Sequence, residues 1–283
     1  MTKQGPEMAT SNIANVKTIR SLERGLQVIA VLQELGPATL KQIYEESGLP
    51  RPTLLRILRT LEASGLVRRG IGDGLYRNSF RLERMVAKLD AGDKIAEIAA
   101  PVIDRLCRQL KWPLDLAVLD TENLCMVLKE TSRPSSPFLL NRDQIGHQIN
   151  IPLSAVGRVY LAHCGEEERE SLIEQLIATR NPVNRILDDR PAFDALLDKV
   201  RDQGYATRDP NFGGGLLPLR SQQDDGLDAI AVALTYNGNV MGSVTLLWLR
   251  KATSVPDMVA DCLDELQAAQ KEIVDAYHKL DTH

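Results

Sequence analysis

Residues 39–64, TLKQIYEESGLPRPTLLRILRTLEAS, constrain the fold of this chain more tightly than any other stretch. Leu40, Ile43 and Tyr44 recur at helical spacing, as do Leu54, Ile57, Leu58 and Leu61, so two amphipathic helices are expected over 40–47 and 51–64. Gly48-Leu49-Pro50 is the turn between them. Thr39 supplies a hydroxyl cap for the first helix, and Pro52 sits in the first turn of the second, where its missing N–H is harmless. With the apolar stripes turned inward, Arg51, Thr53, Arg56 and Arg59 face outward. Two helices across a glycine turn, the second basic on its outer face, are the minimum for a helix-turn-helix, whose second helix enters a DNA major groove. Recognition helices lead with their N-terminal residues, so Arg51 and Thr53 are expected at bases, Arg56 at bases or phosphate, and Arg59 over phosphate. A merely solvated helix face is the plain alternative.

At 283 residues the chain is too long for that module alone, and its net charge of −4 has the wrong sign for a DNA binder. The sign reverses locally. Residues 1–79 carry 11 Lys/Arg against 7 Asp/Glu, a net +4 that leaves −8 on the remainder. A basic first quarter on an acidic body is compatible with phosphate contacts. The polar start MTKQGPEMATSN lacks the apolar core of a signal peptide, and no apolar run reaches membrane-span length, so a cytoplasmic protein without a membrane partner is expected. Cys107, Cys125, Cys164 and Cys262 lie far apart without zinc or redox spacing, and read as buried thiols in a reducing compartment.

Taken in order, residues 1–16 hold too little apolar content to fold and are expected to be a disordered arm. Residues 17–79 form the DNA-binding domain. It opens with a helix over 21–35 that places Leu22, Leu26, Ile29 and Leu32 on one face. After the second helix of the motif comes LVRRGIGDGLYR, whose Asp73-Gly74 signals a hairpin carrying Arg68, Arg69 and Arg77. Its glycines lack the spacing of a nucleotide-binding loop, and a wing lying along phosphates is the better reading. Arg20 could touch the backbone; Arg24 could do so or pair with Glu23 or Glu62. Residues 80–92 are expected as a linker helix and dimer contact through Phe80, Leu82, Met85, Val86 and Leu89. Residues 93–283 then form a larger domain. It begins with a helix over 93–110 that Pro101 should kink or restart. Strands follow over 114–119, 124–128 and 138–141, then a helix that Ser154 caps and that runs through 159–164, and helices over 166–179 and 191–203. A hairpin over 227–248 turns at Asn237-Gly238, and a helix over 255–280 closes the chain. The expected class is α+β, an antiparallel sheet flanked by helices.

These landmarks resemble the IclR family of bacterial transcription regulators. The resemblance rests on IRSLERGLQVIAVL, LPRPTLLRILRTLEASGLV, GHQINIPLSAVGRVYLAHC (146–164) and RDQGYA (201–206), and covers about residues 17–280. Within the family, WPLDLAVLDTENLCMVLKETSR (112–133) is most similar to the MhpR-type branch, which controls degradation of aromatic acids such as hydroxyphenylpropionate. The resemblance implies a winged helix-turn-helix, a linker helix, and a GAF-like C-terminal domain that binds a small organic acid. It implies a homodimer or dimer of dimers on a pseudo-palindromic operator, with RNA polymerase a further partner if the regulator activates. Thr39 joins Arg20, Arg51, Thr53, Arg56, Arg59, Arg68, Arg69 and Arg77 as a DNA-facing residue. Carried onto this chain, the effector cavity is lined by Ser154, Ala155, Val156, Arg208, Asp209, Leu227, Ala229, Thr245 and Leu247. Relatives with small polar effectors carry an acidic or small residue near Arg208 and serines in place of Thr245 and Leu247. Arginine and leucine instead suggest a larger, partly apolar acid whose carboxylate pairs with Arg208. The sequence also departs from the family pattern by an extra stretch around 222–226.

Two other classes compete. The large domain could serve only to dimerise a DNA-binding repressor. A hydrolase could use Ser154 with His163 and Asp209, although the chain has no GxSxG elbow. No cofactor or metal is expected: His147 and His163 lack a second histidine at ligand spacing, and Met85 and Trp112 read as packing residues. Arg142 and Arg158 read as structural ion-pair partners before ligand clamps.

Overall fold

The structure is a computed structural model that describes residues 17–86, 91–138, 145–216 and 219–281, and it divides into two compact units, 1–88 and 89–283. The expected arm at 1–16, the end of the expected linker at 87–90 and all but Phe138 of the expected strand at 138–141 lie outside the described residues.

In the first unit, helix α1 spans Arg20–Leu35, α2 Leu40–Ser47, α3 Arg51–Ala63 and α4 Phe80–Val86, with strands β1 (Val67–Arg69) and β2 (Tyr76–Asn78) forming the antiparallel wing. Ile43, Leu54, Leu58 and Leu61 close the core with Val28, Val31 and Leu32 of α1. The inward face of α1 is therefore rotated from the expected one. Leu22 and Leu26 are 59% and 58% exposed, because hydrophobic spacing marks a face without saying what covers it. Tyr44 is exposed for the same reason, and Phe80 and Met85 of α4 also stand in solvent.

The second unit is built on a six-stranded antiparallel sheet in the order β5-β4-β3-β8-β7-β6. Its strands are β3 Leu114–Asp120, β4 Cys125–Thr131, β5 Gln148–Ile149, β6 Ala206–Thr207, β7 Leu227–Tyr236 and β8 Asn239–Leu249. The β7–β8 hairpin turns at Asn237-Gly238 with both residues at positive φ, the backbone that two-residue hairpin turns demand. Strand alternation sorts side chains to the two faces. Leu114, Leu116, Ile230, Val232, Val244, Leu246 and Trp248 pack with α5 (Ala91–Leu110) and α9 (Val255–Asp281). Ala117, Ala229, Ala231, Ala233 and Leu247 pack beneath α6 (Ala155–His163) and α8 (Arg190–Gln203), with α7 (Glu166–Ala178) alongside. The β7 alanines leave room for α6 to approach closely, and Ser243 Oγ reaches across to donate to Val156 O at 3.0 Å.

Helix α5 runs unbroken through Pro101. The proline lies on the exposed side, where water can serve the carbonyl its missing N–H leaves free. β5, β6 and two 3₁₀ turns, Arg133–Ser135 and Pro182–Asp188, are too short to leave a periodic signal. All four cysteines are free and buried, and burial pushes the Cys125 and Cys164 thiols up to about 11. Among the described residues no helix is long and apolar enough to cross a membrane, and no cluster of His, Cys, Asp and Glu could hold a metal ion.

Candidate functional site

Two surfaces collect the residues that the sequence singles out, one in each unit. In the first unit, Thr39 caps α2 in a capping box: its hydroxyl accepts from Gln42 N–H at 3.3 Å, and Gln42 Oε1 accepts from Thr39 N–H at 2.9 Å. Gln27 Nε2 donates to Ser47 O at 2.9 Å and fastens α1 to the end of α2. The motif is thus packed on buried apolar side chains, with one polar tie from α1 to the end of α2. Arg51, Arg56 and Arg59 of α3 are exposed and Thr53 is half-buried. None of the three arginines joins an ion pair among the described residues, nor do Arg20 and Arg24. Arg20, Thr53 and Arg56 border a groove of about 670 Å³ floored by Leu22, Leu26, Ile29, Ile57, Leu61 and Leu66.

The wing arginines divide. Arg69 Nε donates to Gly74 O at 2.7 Å, and its guanidinium lies 5.4 Å from the Tyr76 ring centre. Arg77 is paired with Asp73, whose carboxyl is held below its usual range first by the Leu75 N–H and then by Arg77. Both side chains hold the hairpin turn. Arg68, opposite Arg77 in the register, is exposed with no ion pair among the described residues.

In the second unit, a cavity of about 50 Å³ lies on the α6 side of the sheet. Seven of the nine expected residues line it: Ser154, Ala155, Val156, Arg208, Ala229, Thr245 and Leu247. Ser154 Oγ accepts from Gly157 N–H at 3.0 Å and begins α6 at the cavity wall. Asp209 and Leu227 are not in the lining. Asp209 is turned to Arg158, 2.5 Å from its Nη2, and Leu227 is part of the apolar core. Arg158 is therefore a structural ion-pair partner, as its position suggested; burial depresses its pKa and Asp209 opposes that. Ser154, His163 and Asp209 form no triad. Ser154 Oγ accepts from Gly157 N–H, the His163 ring nitrogen meets Val159 O at 3.0 Å, and Asp209 holds Arg158.

Lining residues that sequence reasoning missed are the charged Asp115, Arg133 and Asp225, together with His147. Arg133 Nη2 lies 2.6 Å from Asp115 Oδ2 with both side chains almost fully buried, and Thr131 Oγ1 donates to Asp115 Oδ1 at 2.6 Å. An aspartate in the apolar run LDLAVL was the available signal, since a buried charge requires a partner. On the other side, Arg208 Nη2 lies 2.9 and 3.1 Å from the two Asp225 carboxylate oxygens and donates to Phe212 O at 3.1 Å. Its guanidinium stands 4.5 Å from the Phe212 ring centre. Burial pulls the Arg208 pKa down, with Asp225 opposing. The carboxylate expected at Arg208 is present, and it is the chain's own.

Residues 21–70 match the IclR helix-turn-helix domain, and residues 88–213 match the C-terminal domain of bacterial IclR transcriptional regulators. The transcriptional regulator XynR of Escherichia coli K12 is 26% identical over 190 residues, which span 66% of this chain and 73% of that protein. A crystal structure of an IclR family regulator from Brucella abortus covers 95% of this chain and 96% of its own, with 23% identity and a TM-score of 0.51. An IclR homologue from Microbacterium hydrocarbonoxydans, complexed with 4-hydroxybenzoate, covers 92% of this chain and 99% of its own, with 21% identity and a TM-score of 0.50. With a helix-turn-helix unit and an α+β unit that each match the family's own domain, this chain belongs to the IclR family of DNA-binding transcriptional regulators.

Proposed function

We propose that the protein is a ligand-responsive regulator whose C-terminal unit binds a small organic acid and whose α3 helix reads operator DNA. The acid reading rests on one observation: the cavity under α6 has two buried arginines, Arg133 and Arg208, on its wall beside the first turn of a helix. Buried guanidinium groups and a helix N-terminus both favour a bound carboxylate. Aromatic acids of the kind handled by the MhpR-type branch come first among candidates, because a homologue of this fold has been captured with 4-hydroxybenzoate. Support for the DNA half comes from the exposed run Arg51, Arg56 and Arg59, without ion pairs among the described residues, with Arg68 on the wing and Arg20 on α1. In this reading Arg51, Thr53 and Arg56 approach bases, while Arg59, Arg68 and Arg20 approach phosphates. Arg69, Arg77 and Thr39 act chiefly by shaping the wing and the α2 start. The exposed Ile19 just before α1 and Leu22 and Leu26 on it, with Phe80 and Met85 of α4, support a homodimer that presents two recognition helices to a pseudo-palindromic site.

The rival reading, a repressor whose large unit serves only for assembly, is favoured by the small size of the cavity. About 50 Å³ is far below the several hundred typical of ligand pockets. A thermal-shift series with acetate, pyruvate, 4-hydroxybenzoate and hydroxyphenylpropionate separates the two. Stabilisation that Arg208→Ala removes supports the sensor, and no shift at millimolar acid supports the scaffold. For DNA, Arg56→Ala is expected to weaken binding to a duplex selected by the protein from random sequence. The expected loss is about 1–3 kcal/mol, with acid binding kept. Unchanged affinity would remove Arg56 from the interface.

A further inference from the structure

Arg208 and Asp225 both line the cavity, with side chains only 4% and 14% exposed. An incoming carboxylate that takes an arginine side-on needs Nε and Nη2 together. Here Nε is buried with no hydrogen-bond partner, while Nη2 is held by both oxygens of Asp225. The fork is half open. Adding a second carboxylate beside Asp225 would leave an uncompensated negative charge in a buried space, whereas exchanging one carboxylate for the other leaves the charge sum unchanged.

Besides Arg208, Asp225 Oδ1 accepts from Leu227 N–H at 3.0 Å, a contact that such an exchange must release. The Asp225 N–H donates to Gly213 O at 3.2 Å, and the residue sits two positions before the start of β7. Its carboxylate lies against Gly214, where a Cβ would stand 2.7 Å from Asp225 Oδ2 and where φ is +95°. Only glycine lets the backbone approach that closely in that conformation. A receiver for the displaced carboxylate is also at hand. Arg220, five residues earlier, keeps Nε and Nη2 buried without hydrogen-bond partners; its contacts to Asp224 and Asp228 are 3.7 and 3.8 Å, too long for hydrogen bonds. Arg220 is near enough to Arg208 for its charge to act on it.

We propose that Asp225 is a built-in occupant of the effector's carboxylate position, and that an acid binds by displacing Asp225 from Arg208 toward Arg220. This rests on the acid-binding reading above. It also accounts for the small cavity, since the volume seen is that of the self-occupied state. Asp225 thereby sets specificity. A ligand must outcompete an intramolecular carboxylate, which demands apolar contact with Ile149, Phe212 and Leu247 in addition to its charge.

The test is calorimetric titration of the full-length protein with 4-hydroxybenzoate and with acetate, alongside tryptic cleavage after Arg220. Asp225→Asn removes the competitor. It should bind 4-hydroxybenzoate more tightly by roughly 5- to 150-fold, the range of an ordinary coupling between two equilibria. It should also raise acetate binding, relative to the parent. Arg220→Gln, which does not touch the cavity, should weaken binding, and Arg208→Met should abolish it. In the parent, saturating ligand should slow cleavage after Arg220, because Asp225 then pairs with that side chain, and Asp225→Asn should show no such protection. Equal or weaker acid binding by Asp225→Asn, with the parent binding through Arg208, overturns the exchange and leaves the acid reading standing. A tryptic rate after Arg220 that saturating ligand leaves unchanged in the parent overturns it as well. Absence of binding by every variant sinks the acid reading, and the exchange with it.

Discussion

Gly157 offers the sharpest test of how the effector unit is packed. It lies in the first turn of α6, where replacing glycine by alanine should stabilise a free helix by about 1 kcal/mol. The structure reverses that sign. A Cβ at Gly157 would stand 2.1 Å from Ile151 O and 2.5 Å from Ile151 Cα, and both are backbone atoms that cannot swing aside. Ordinary contact begins near about 3.5 Å, so α6 or the 151 backbone must move by about 1 Å or more. That movement strains the 3.0 Å bond from Ser243 Oγ to Val156 O, in which Ser243 is fully buried. Overpacking costs about 1–3 kcal/mol and a lost buried hydrogen bond about 1–3 more, against about 1 regained from propensity. Gly157→Ala is therefore expected to destabilise by about 3 kcal/mol. Both tryptophans, Trp112 and Trp248, belong to the second unit, so urea unfolding followed by tryptophan fluorescence reports that unit directly. A variant within about 0.5 kcal/mol of the parent, or more stable than it, would refute the account of α6 seated on the 150–153 turn.

Two further outcomes follow from the charges. Asp115→Ala removes the buried carboxylate paired with Arg133 and should cost about 3–5 kcal/mol in the same unfolding assay, while the double change Asp115→Leu with Arg133→Met should recover much of that loss. Asp224 is lowered to about 2, chiefly by the Arg250 side chain and then by the Gly226 N–H. A depressed carboxyl contributes stability above its unfolded value and loses it as pH falls through the folded one. The part of the acid sensitivity lying between about pH 4 and 2 should therefore be absent in Asp224→Asn, and its persistence would exclude this pair as the source.

Local signals were legible and long-range pairings were not. The bounds of α2, the β7–β8 hairpin and the Ser154 cap follow from spacing, turn residues and a hydroxyl at a helix start, all of which act within a few positions. The inward face of α1 depends on what packs against it, and so Leu22 and Leu26 were misassigned to the core while Val28 and Val31 supply it. Arg208 could be named from sequence. Its partner Asp225 lies 17 positions away across a loop, just as Arg133 lies 18 positions from Asp115. No periodicity links charges at such distances; only the folded sheet and its loops do.

The alternation of β7 and β8 has a mechanical consequence. Ala229, Thr245 and Leu247 face the cavity, while their immediate neighbours Ile230, Leu246 and Trp248 are embedded in the layer against α5 and α9. Thr245 Oγ1 donates to Ile230 O at 2.9 Å, bonding a wall residue of one strand to the backbone of the next. A sheet is one residue thick. A tilt of these strands that admits a bulkier occupant on one side must withdraw or advance side chains on the other, so the two helical layers share one elastic diaphragm and neither can be resettled alone.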